Sequence, residues 1–391
     1  MSDLAQAGLI CTLQRLNDTH LPVLEAELEL QSAIRSIALI LPCHAGDLFQ
    51  PALAHIVEEL GRVRFLREVV VSLNGYDEPA FEHAREIFPS LPQRVRVLWN
   101  DGPTLAPLLS RWSSAMGKGM NVWSAVGALT GDGGPELIVT QDADVASFRS
   151  STLARLCSAC LHPQLGYQFA RMYYSRVTDR LYGRVSRLFL TPLLQAFTRV
   201  AGHHPLLDFL ISFRYPLAGE TALTTALAAE LPLGQSWSLE IGMLCELFRR
   251  ADPREICQVD GGTGYDHRHH PLSEGGALAQ MAQDIAGALF AQLAQEGLNV
   301  TAQLRVSVAA AFRDEAALAL RRSRSLAAIN GLPFDEATER EIVEALSAEL
   351  SKPSAAVPSL LPSWATLMQQ EPEWVEQFRA AVAHDSTAPR R

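Results

Sequence analysis

Two aspartates separated by one alanine follow an apolar run in the segment 137-LIVTQDADV-145. A Mg²⁺ or Mn²⁺ ion that binds a diphosphate takes only one or two carboxylates from the protein, because water and phosphate oxygens fill its other positions. Asp142 and Asp144 have the residue type and the spacing for such a site. The alternative is that Asp144 caps the next helix and Asp142 is solvated. The tripeptide alone leaves both interpretations open.

Three of the chain's eleven histidines lie within four residues in the segment 263-TGYDHRHHP-271. A neutral imidazole is a common ligand for borderline metals and can also carry a proton. The alternative is a histidine-rich surface loop. Combined with the aspartate pair, the segment predicts a third metal ligand, most simply His267.

The segment 171–187 is rich in arginine and contains one acid, Asp179. Four of its arginines are spaced by four, four and three residues, which places them on one face if the segment is helical: Arg176, Arg180, Arg184 and Arg187. An unpaired row of guanidinium groups suits a phosphate or a carboxylate. A solvated helix face is the alternative, and Gly183 would interrupt the helix and let backbone N–H groups approach a ligand.

Two glutamates lie in apolar surroundings within the segment 216–244. Glu220 precedes a predicted helical run, and Glu240 lies in a Leu-Glu-Ile-Gly setting. A buried carboxylate costs free energy unless it is hydrogen-bonded. Sugar hydroxyls are one kind of partner, and a buried arginine is the other.

Four apolar runs predict strands that alternate with helices: 36–44, 67–75, 94–102 and 136–144. The predicted helices include one capped by Asp47, one capped by Asp77 and a short one from Lys118 to Leu129. This alternation predicts an α/β fold, a mostly parallel Rossmann-like sheet with helices on both faces.

Polar residues come at the ends of these predicted strands, in 42-PCH-44, 74-NG-75, 100-ND-101 and 142-DAD-144. Ligands of parallel sheets bind beyond the carboxyl ends of the strands, so these loops should meet at one site. No G-x-G-x-x-G follows the first strand and no P-loop motif is present, so nicotinamide and P-loop sites lose their sequence support. The aspartate pair is therefore predicted to be a ligand site.

The sequence of the remaining segments mainly predicts helices. Residues up to about Gln31 are predicted helical, 166–175 is strand-like, and long helical stretches follow it. From about Asn299 the chain is rich in Ala and Leu, which predicts a C-terminal helical extension with a frayed tail.

The composition is that of a globular protein with a full core, at 48% hydrophobic and 19% charged residues. A net charge of −10 gives no electrostatic reason to bind nucleic acid or anionic membranes. No apolar stretch approaches bilayer length, and residues 1–31 lack the pattern of a signal peptide. We therefore expect a cytoplasmic protein.

Six cysteines fit a reducing compartment, where they need no partners. Cys157 and Cys160 have the spacing of a redox pair, but no second pair completes a zinc site. The periodicity of the segment 151–161 instead predicts that both are core positions of a helix.

These segments, in this order, resemble the glucosyl-3-phosphoglycerate synthases, which are retaining nucleotide-sugar transferases of the GT-A fold. Beside the Asp-x-Asp, the resemblance rests on 118-KG-119, 183-GRVSRLFLTPLL-194, 216-PLAGE-220, 238-SLEIGML-244, 267-HRH-269 and 271-PLSEGGALAQM-281. It covers about residues 36 to 295. Ser186 stands where the family has threonine, and His269 where it has asparagine. The loop 42-PCHAGD-47 lacks the family's acidic pair, so the donor base stays open.

The resemblance implies roles for the residues of these motifs. Asp144 and His267 would hold the divalent metal, Mg²⁺ or Mn²⁺, and Asp142 with Lys118 would contact the nucleotide. The other implied contacts are a base pocket at Pro42, Cys43 and Asn74, sugar hydroxyls at Glu240, and the acceptor at Arg184, Val185, Ser186 and His269. Asp144, Glu240 and Arg184 would then be the catalytic residues.

The expected activity is transfer of glucose from UDP-glucose or GDP-glucose to 3-phosphoglycerate, with retention and without a protein general base. GDP-mannose as donor or glycerate as acceptor remain alternatives, as does a degenerate module that binds a partner. A nucleotidyltransferase would need a Gly-rich, basic triphosphate loop, which is absent after the first strand. The family also implies a homodimer.

Three parts are expected along the chain. A helical segment (1–35) precedes a GT-A glycosyltransferase domain (36–298), and a helical extension with its tail (299–391) follows. Within the domain, the nucleotide-sugar half would cover about 36–145 and the acceptor half about 146–298.

Overall fold

The structure, a computed structural model, describes residues 8–113, 116–131, 133–266, 275–350, 352 and 359–386. Its strands are β1 (Cys11–Leu13), β2 (Ile37–His44), β3 (Leu66–Asn74), β4 (Arg94–Trp99), β5 (Leu137–Thr140), β6 (Phe169–Ser175), β7 (Thr221–Thr224) and β8 (Ile256–Thr263). They form one sheet in the order β1-β8-β6-β7-β5-β2-β3-β4. Within the described residues only β7 is antiparallel to its neighbours, β5 and β6. The predicted mostly parallel sheet is confirmed.

Fifteen helices are described around this sheet. They are α1 (Leu21–Ser32), α2 (Pro51–Leu60), α3 (Glu78–Ile87), α4 (Ala106–Leu109), α5 (Lys118–Leu129), α6 (Ser150–Leu161), α7 (Thr191–Ala201), α8 (Pro205–Ile211), α9 (Thr225–Glu230), α10 (Leu239–Arg250), α11 (Gly275–Gln295), α12 (Ala302–Ile329), α13 (Glu336–Leu350), α14 (Trp364–Gln370) and α15 (Pro372–Ser386). The predicted C-terminal helices are therefore present, and α5 has its predicted bounds.

The central strands are buried on both faces, as in other parallel sheets covered by helices. Successive side chains of a strand point to opposite faces, and β2 shows the result. Ala38 and Ile40 belong to a buried cluster that includes residues of α5 and α7. Ile37 and Leu39 belong to a second cluster, with residues of α2, α3 and α6. The near-continuous apolar runs of the sequence follow from this double burial.

Two predicted helix caps have different outcomes. Asp77 caps α3, because its Oδ1 accepts a 2.9 Å hydrogen bond from the N–H of Ala80. The predicted cap at Asp47 is wrong, since α2 begins only at Pro51. Proline is favoured at the first helical position because its φ is already helical and it has no N–H to satisfy. Asp47 instead accepts a 3.0 Å hydrogen bond from the N–H of His44.

The strands β1, β7 and β8 lie where helix is predicted, so these predictions are wrong. The helix predicted up to Gln31 begins only at Leu21, and Cys11–Leu13 pairs in parallel with β8. The helical run predicted after Glu220 begins with β7, and α9 follows it. A strand of three or four residues has no periodicity to detect, and its hydrogen-bond partners are distant in sequence.

The C-terminal helices pack directly on the sheet's helical layer. Phe312 of α12 contacts Phe189 with ring centroids 5.7 Å apart. Trp364 of α14 stacks on Trp123 of α5 at 4.6 Å, and its Nε1 donates a 2.7 Å hydrogen bond to the carbonyl of Trp123. A Cβ on Gly127 would lie 1.9 Å from the Trp364 ring, so only glycine allows this contact. The extension and α5 therefore share one core.

Cys157 and Cys160 are buried in α6, as predicted, and all six cysteines are free. Burial raises the pKa of the Cys160 thiol to about 12 and that of Cys157 well above its ordinary value. In the described part of the chain, no helix combines the length and the apolar character needed to cross a membrane.

Replacement of Trp364 tests the packing of the extension against α5. Trp364→Ala removes a fully buried indole and its hydrogen bond, so it should lower the free energy of unfolding by about 3–5 kcal/mol in urea denaturation. Trp237→Ala is the matched control, since Trp237 is 38% exposed and should cost less than about 1 kcal/mol. Equal losses in the two variants would contradict the shared core.

Candidate active site

The predicted ligand residues lie at one edge of the sheet. His44 and Asn74 are paired at the ends of β2 and β3, and Asp142 follows the end of β5 by two residues. In a parallel sheet all these carboxyl ends face the same side, so the loops converge as predicted. The lysine that begins α5, Lys118, points into the same place.

An ion cluster at this edge joins three elements. Nζ of Lys118 lies 2.7 Å from Oδ1 of Asp142 and donates a 2.8 Å hydrogen bond to Oε1 of Glu240, in the first turn of α10. The three side chains are only 25%, 17% and 10% exposed. Burial alone would lower the pKa of Lys118, but the two carboxylates outweigh it and hold the pKa above its ordinary value. The lysine thus stays charged and sets the positions of both acids.

Glu240 therefore has a lysine as its ionic partner, where the sequence suggested an arginine or a sugar. The fully buried Arg171 lies beside it but donates to backbone carbonyls, those of Pro216 and of Glu240 itself, the second at 3.3 Å. Burial lowers the pKa of Arg171 to about 10. Its role is to hold the segment before β7 against the start of α10.

Gly219 leaves the space that this cluster needs. A Cβ at this position would lie 2.5 Å from Nζ of Lys118 and 2.5 Å from Oδ2 of Asp142. Its carbonyl accepts a 2.6 Å hydrogen bond from the hydroxyl of Thr140, at the end of β5. The glycine of the 216-PLAGE-220 motif is thus required by close approach of the two ions.

A buried hydrogen-bond network supports the aspartate loop from below. Glu220 is fully buried, and Tyr174 donates a 2.9 Å hydrogen bond to its Oε2. Gln141 donates a 3.0 Å hydrogen bond to the hydroxyl of Tyr265, whose ring stacks on Tyr174 with centroids 3.9 Å apart. Burial, with the charge of Glu220, raises the pKa of both tyrosines well above its ordinary value. Their hydroxyls therefore stay protonated and can donate.

A chain of amides lies behind the predicted base pocket. Asn121 donates to Oδ1 of Asn74 at 2.6 Å, and Asn100 donates to Oδ1 of Asn121 at 2.9 Å. The sequence interpretation did not include Asn121, although an asparagine one turn after Lys118 in an apolar helix was a usable signal. Cys43 contacts the hydroxyl of Tyr76 at 3.2 Å, and burial raises the pKa of its thiol to about 12.

Backbone contacts join the loop after β5 to Asp266, the last described residue before the three histidines. The N–H of Ala146 donates to the carbonyl of Asp266 at 2.9 Å, and the N–H of Asp266 donates to Oγ of Ser147 at 2.8 Å. The residue after Asp266 is His267. Asp144 lies close enough to Cys43 for its charge to contribute to the raised thiol pKa.

The predicted metal ligands fit an oxygen-binding divalent ion as far as the structure describes them. Asp144 has a hard carboxylate oxygen of the kind that suits Mg²⁺ or Mn²⁺, whereas Asp142, predicted to contact the nucleotide, is paired with Lys118. His267 and His269 lie outside the described residues. Within the described ranges no three side chains of histidine, cysteine, aspartate or glutamate form a metal cluster.

The predicted arginine row is wrong as a helix face. Arg176 and Arg180 lie in the turns after β6, and Gly183 has a φ of +69°, which separates them from the helical turn that follows. Arg180 pairs with Asp179 at 2.9 Å. Arg184 precedes the π-helical turn Val185–Leu190, which continues into α7.

The expectation that the row has no acid beyond Asp179 is also wrong. Arg184 donates from Nε to Oε1 of Glu339 at 3.0 Å, and Arg187 pairs with the same carboxylate at 2.5 Å. Glu339 belongs to α13, so local sequence could not reveal it. Ser186 is buried, and its hydroxyl has no hydrogen-bond partner among the described residues.

Stacked tyrosines connect the arginine segment to the aspartate loop. A Cβ on Gly183 would lie 3.7 Å from the Tyr215 ring, so that ring packs on the segment. Tyr215 contacts Tyr174 with centroids 4.8 Å apart, and Tyr174 stacks on Tyr265, the partner of Gln141. The structure thus brings the two predicted halves of the site together through one aromatic stack.

Comparison with known proteins identifies the family of the chain. The glucosyl-3-phosphoglycerate synthase of Persephonella marina is 34% identical over 404 residues, which cover 99% of this chain and 100% of the relative. The chain belongs to the glucosyl-3-phosphoglycerate synthase family. Another member, from Methanococcoides burtonii, is 29% identical and covers 90% of each chain. As a member of the glucosyl-3-phosphoglycerate synthase family, the protein is a glucosyltransferase. No family model matches the chain.

Crystal structures show the same fold for this family. The glucosyl-3-phosphoglycerate synthase of Mycobacterium tuberculosis with Mn²⁺, uridine diphosphate and glucosyl-3-phosphoglycerate has a TM-score of 0.55 at 24% identity. The match covers 72% of this chain and 87% of that one. The same protein with Mn²⁺ and UDP-glucose has a TM-score of 0.56, and it has also been solved with Mg²⁺ and uridine diphosphate. The predicted GT-A fold is confirmed.

Substitution at Gly219 tests the ion cluster. Gly219→Ala places a methyl group against Lys118 and Asp142, whose flexible ends can move without unfolding the protein. Their displacement should lower glucosyltransferase turnover on the order of 10²-fold. Gly242→Ala in α10 is the control, because among the described residues its Cβ would meet Leu360 at 3.7 Å and a backbone nitrogen at 4.0 Å, with no closer atom. Full activity of Gly219→Ala would show that the cluster does not position the reacting groups.

Proposed function

We propose that the protein transfers glucose from UDP-glucose to 3-phosphoglycerate, with retention and with a divalent metal, to form glucosyl-3-phosphoglycerate. The observation that carries the proposal is the cluster of Lys118, Asp142 and Glu240 at the carboxyl edge of the sheet. The aromatic stack connects it to the arginine segment. The names and bound molecules of the relatives support both substrates, and uridine diphosphate in the M. tuberculosis enzyme favours uridine as the donor base.

The proposed nucleotide-binding half consists of uncharged groups beside one cation, Lys118. Pro42, Cys43 and Asn74 lie at the ends of β2 and β3, where the thiol is protonated and the amide is fixed by Asn121. These uncharged groups suit a base and a ribose. Lys118 and Asp142 lie next to them and would contact the diphosphate and the ribose.

Asp144 and His267 would hold the metal, as the family resemblance implies, and the backbone contacts of Asp266 with Ala146 and Ser147 place the residue before His267 beside the loop that carries Asp144. A bound Mg²⁺ or Mn²⁺ would neutralise the charge of the departing diphosphate. Asp142, held by Lys118, is then directed at the nucleotide. Among the described residues Lys118 uses only Oε1 of Glu240, which leaves Oε2 for a sugar hydroxyl.

Transfer with retention, by attack on the leaving-group side, is what the family resemblance implies. Asp142 and Glu240 are both paired with Lys118, which weakens either carboxylate as a nucleophile for a covalent intermediate. The acceptor hydroxyl would then approach beside the diphosphate, whose oxygen takes its proton. The chain's contribution is to position both substrates.

Arg184, Val185 and Ser186 would bind the acceptor anion, with His269 from the histidine loop. The positive φ of Gly183 turns the chain just before the helical segment that begins at Arg184, and the first N–H groups of a helix have no intrahelical partner. The hydroxyl of Ser186, which is buried and has no partner among the described residues, would donate a hydrogen bond to an acceptor oxygen that reaches it.

Donor and acceptor identity follow from one experiment. A matrix of UDP-glucose, GDP-glucose and GDP-mannose against 3-phosphoglycerate and glycerate, read by product mass, should give glucosyl-3-phosphoglycerate from the first pair. The homodimer, the cytoplasmic location and the boundaries at residues 36 and 299 stay predictions.

Removal of Asp144 tests the metal site. Asp144→Ala should abolish turnover and the Mg²⁺-dependent binding of uridine diphosphate measured by calorimetry, because one of two predicted protein ligands is lost. Asp252→Ala is the control, since Asp252 lies in a turn and its only ionic partner in the described part of the chain is Arg254. Unchanged Mg²⁺-dependent binding in Asp144→Ala would refute the assignment.

Removal of the Arg184 guanidinium tests the acceptor site. Arg184→Ala should raise the KM for 3-phosphoglycerate about 10–100-fold, as expected for loss of charged hydrogen bonds, and change the KM for the donor little. Arg184→Lys keeps a positive charge beside Glu339 and guards against misfolding. Arg180→Ala is the control, because Arg180 is half-exposed and already paired with Asp179. An unchanged acceptor KM in both Arg184 variants would exclude this site.

A further inference from the structure

A carboxylate from the C-terminal helices is buried beside the proposed acceptor arginine. Glu339 of α13 is 4% exposed. Its Oε1 accepts from Nε of Arg184 at 3.0 Å, and its Oε2 lies 2.5 Å from Nη2 of Arg187. A buried carboxylate is costly without such partners, so this contact is specific.

The two arginines are held in different ways. Arg187 is saturated, because it donates from Nε to the carbonyl of Tyr182 at 2.9 Å and from Nη1 to Oγ of Ser323 at 3.2 Å, in addition to the ion pair. Burial lowers its pKa, and the charge of Glu339 opposes that effect. Arg187 is therefore the fixed anchor of the carboxylate.

Arg184 uses only one of its three nitrogens. Its Nε is bound to Glu339, whereas Nη1 and Nη2 form no hydrogen bond with any residue in the described ranges. Its side chain is 26% exposed, so the protein does not enclose it completely. A guanidinium held at Nε presents Nη1 and Nη2 as a planar pair, which matches two oxygens of a phosphate or carboxylate.

We propose that Glu339 is a positioning residue for the acceptor, which the C-terminal helices contribute to the site. It fixes the plane of Arg184 so that the two free nitrogens face the acceptor anion. It also offsets part of the positive charge of the two arginines. This inference rests on the proposed function, because it needs Arg184 to bind the acceptor.

Two substitutions of Glu339 separate positioning from folding. Glu339→Ala frees the Arg184 side chain and should raise the KM for 3-phosphoglycerate about tenfold, with kcat and the KM for the donor within about twofold. Glu339→Gln keeps an oxygen for Nε and should restore most of the acceptor affinity. Glu336→Ala, one turn earlier on α13 and paired with Arg324 and Arg340, is the control and should change no kinetic constant.

The inference about Glu339 fails if Glu339→Ala leaves the acceptor KM unchanged or lowers it while Arg184→Ala raises it. The proposed function would stay intact in that case. A lower KM would mean that Glu339 competes with the acceptor. An unchanged KM in Arg184→Ala would overturn both. If Glu339→Ala does not fold, a double-mutant cycle of Arg184→Lys and Glu339→Asp takes its place, because the shorter carboxylate loses its contact with Nε. It should show coupling of more than about threefold in acceptor KM, and additive effects would refute positioning.

Discussion

One ammonium group between two carboxylates determines how this site is built. Lys118, Asp142 and Glu240 come from the start of α5, the loop after β5 and the start of α10. Both carboxylates lie within hydrogen-bonding distance of the same Nζ. Two buried carboxylates so close together would repel each other strongly without the cation between them. The chain has only one other lysine, Lys352, and all its other residues of the Lys and Arg types are arginines. A compact ammonium fits against Gly219 where a planar guanidinium would need more room.

The antiparallel strand β7 explains why the motif 216-PLAGE-220 lies at the site. It pairs with β5 so that Thr221 is opposite Thr140. The residues before β7 therefore lie beside the residues after β5, which places Gly219 and Glu220 next to Gln141 and Asp142. Had β7 been parallel, its start would have been at the opposite edge of the sheet. The antiparallel direction of β7 thus places both Gly219, beside the ion cluster, and Glu220, the buried acid that Tyr174 contacts, at the site.

The sequence predicts what is local and periodic. The long apolar runs identify β2 to β5, and the polar residues at their ends indicate the edge of the sheet at which Asp142 lies. Short strands such as β1 and β7 are not predictable, because their pairing is distant and their residues carry no period. The partner of Arg184 is not predictable either, since Glu339 lies 155 residues away. The arginine segment has only Asp179 nearby in sequence. The second acid, Glu339, lies close to it only in the folded chain.

The helix α5 links the site to the C-terminal helices. Its 12 residues span about 18 Å, from Lys118 in the ion cluster to the carbonyls at its other end. Those carbonyls are satisfied by Arg96, which donates to Ala128, and by Arg379 of α15, which donates to Thr130 at 2.8 Å. Trp364 packs against Trp123 in the middle of α5. The position of the Lys118 ammonium therefore depends on α14 and α15 through one rigid helix. These late helices contact α5 at its middle and at its far end, so they support the site although none of their residues lies in the ion cluster.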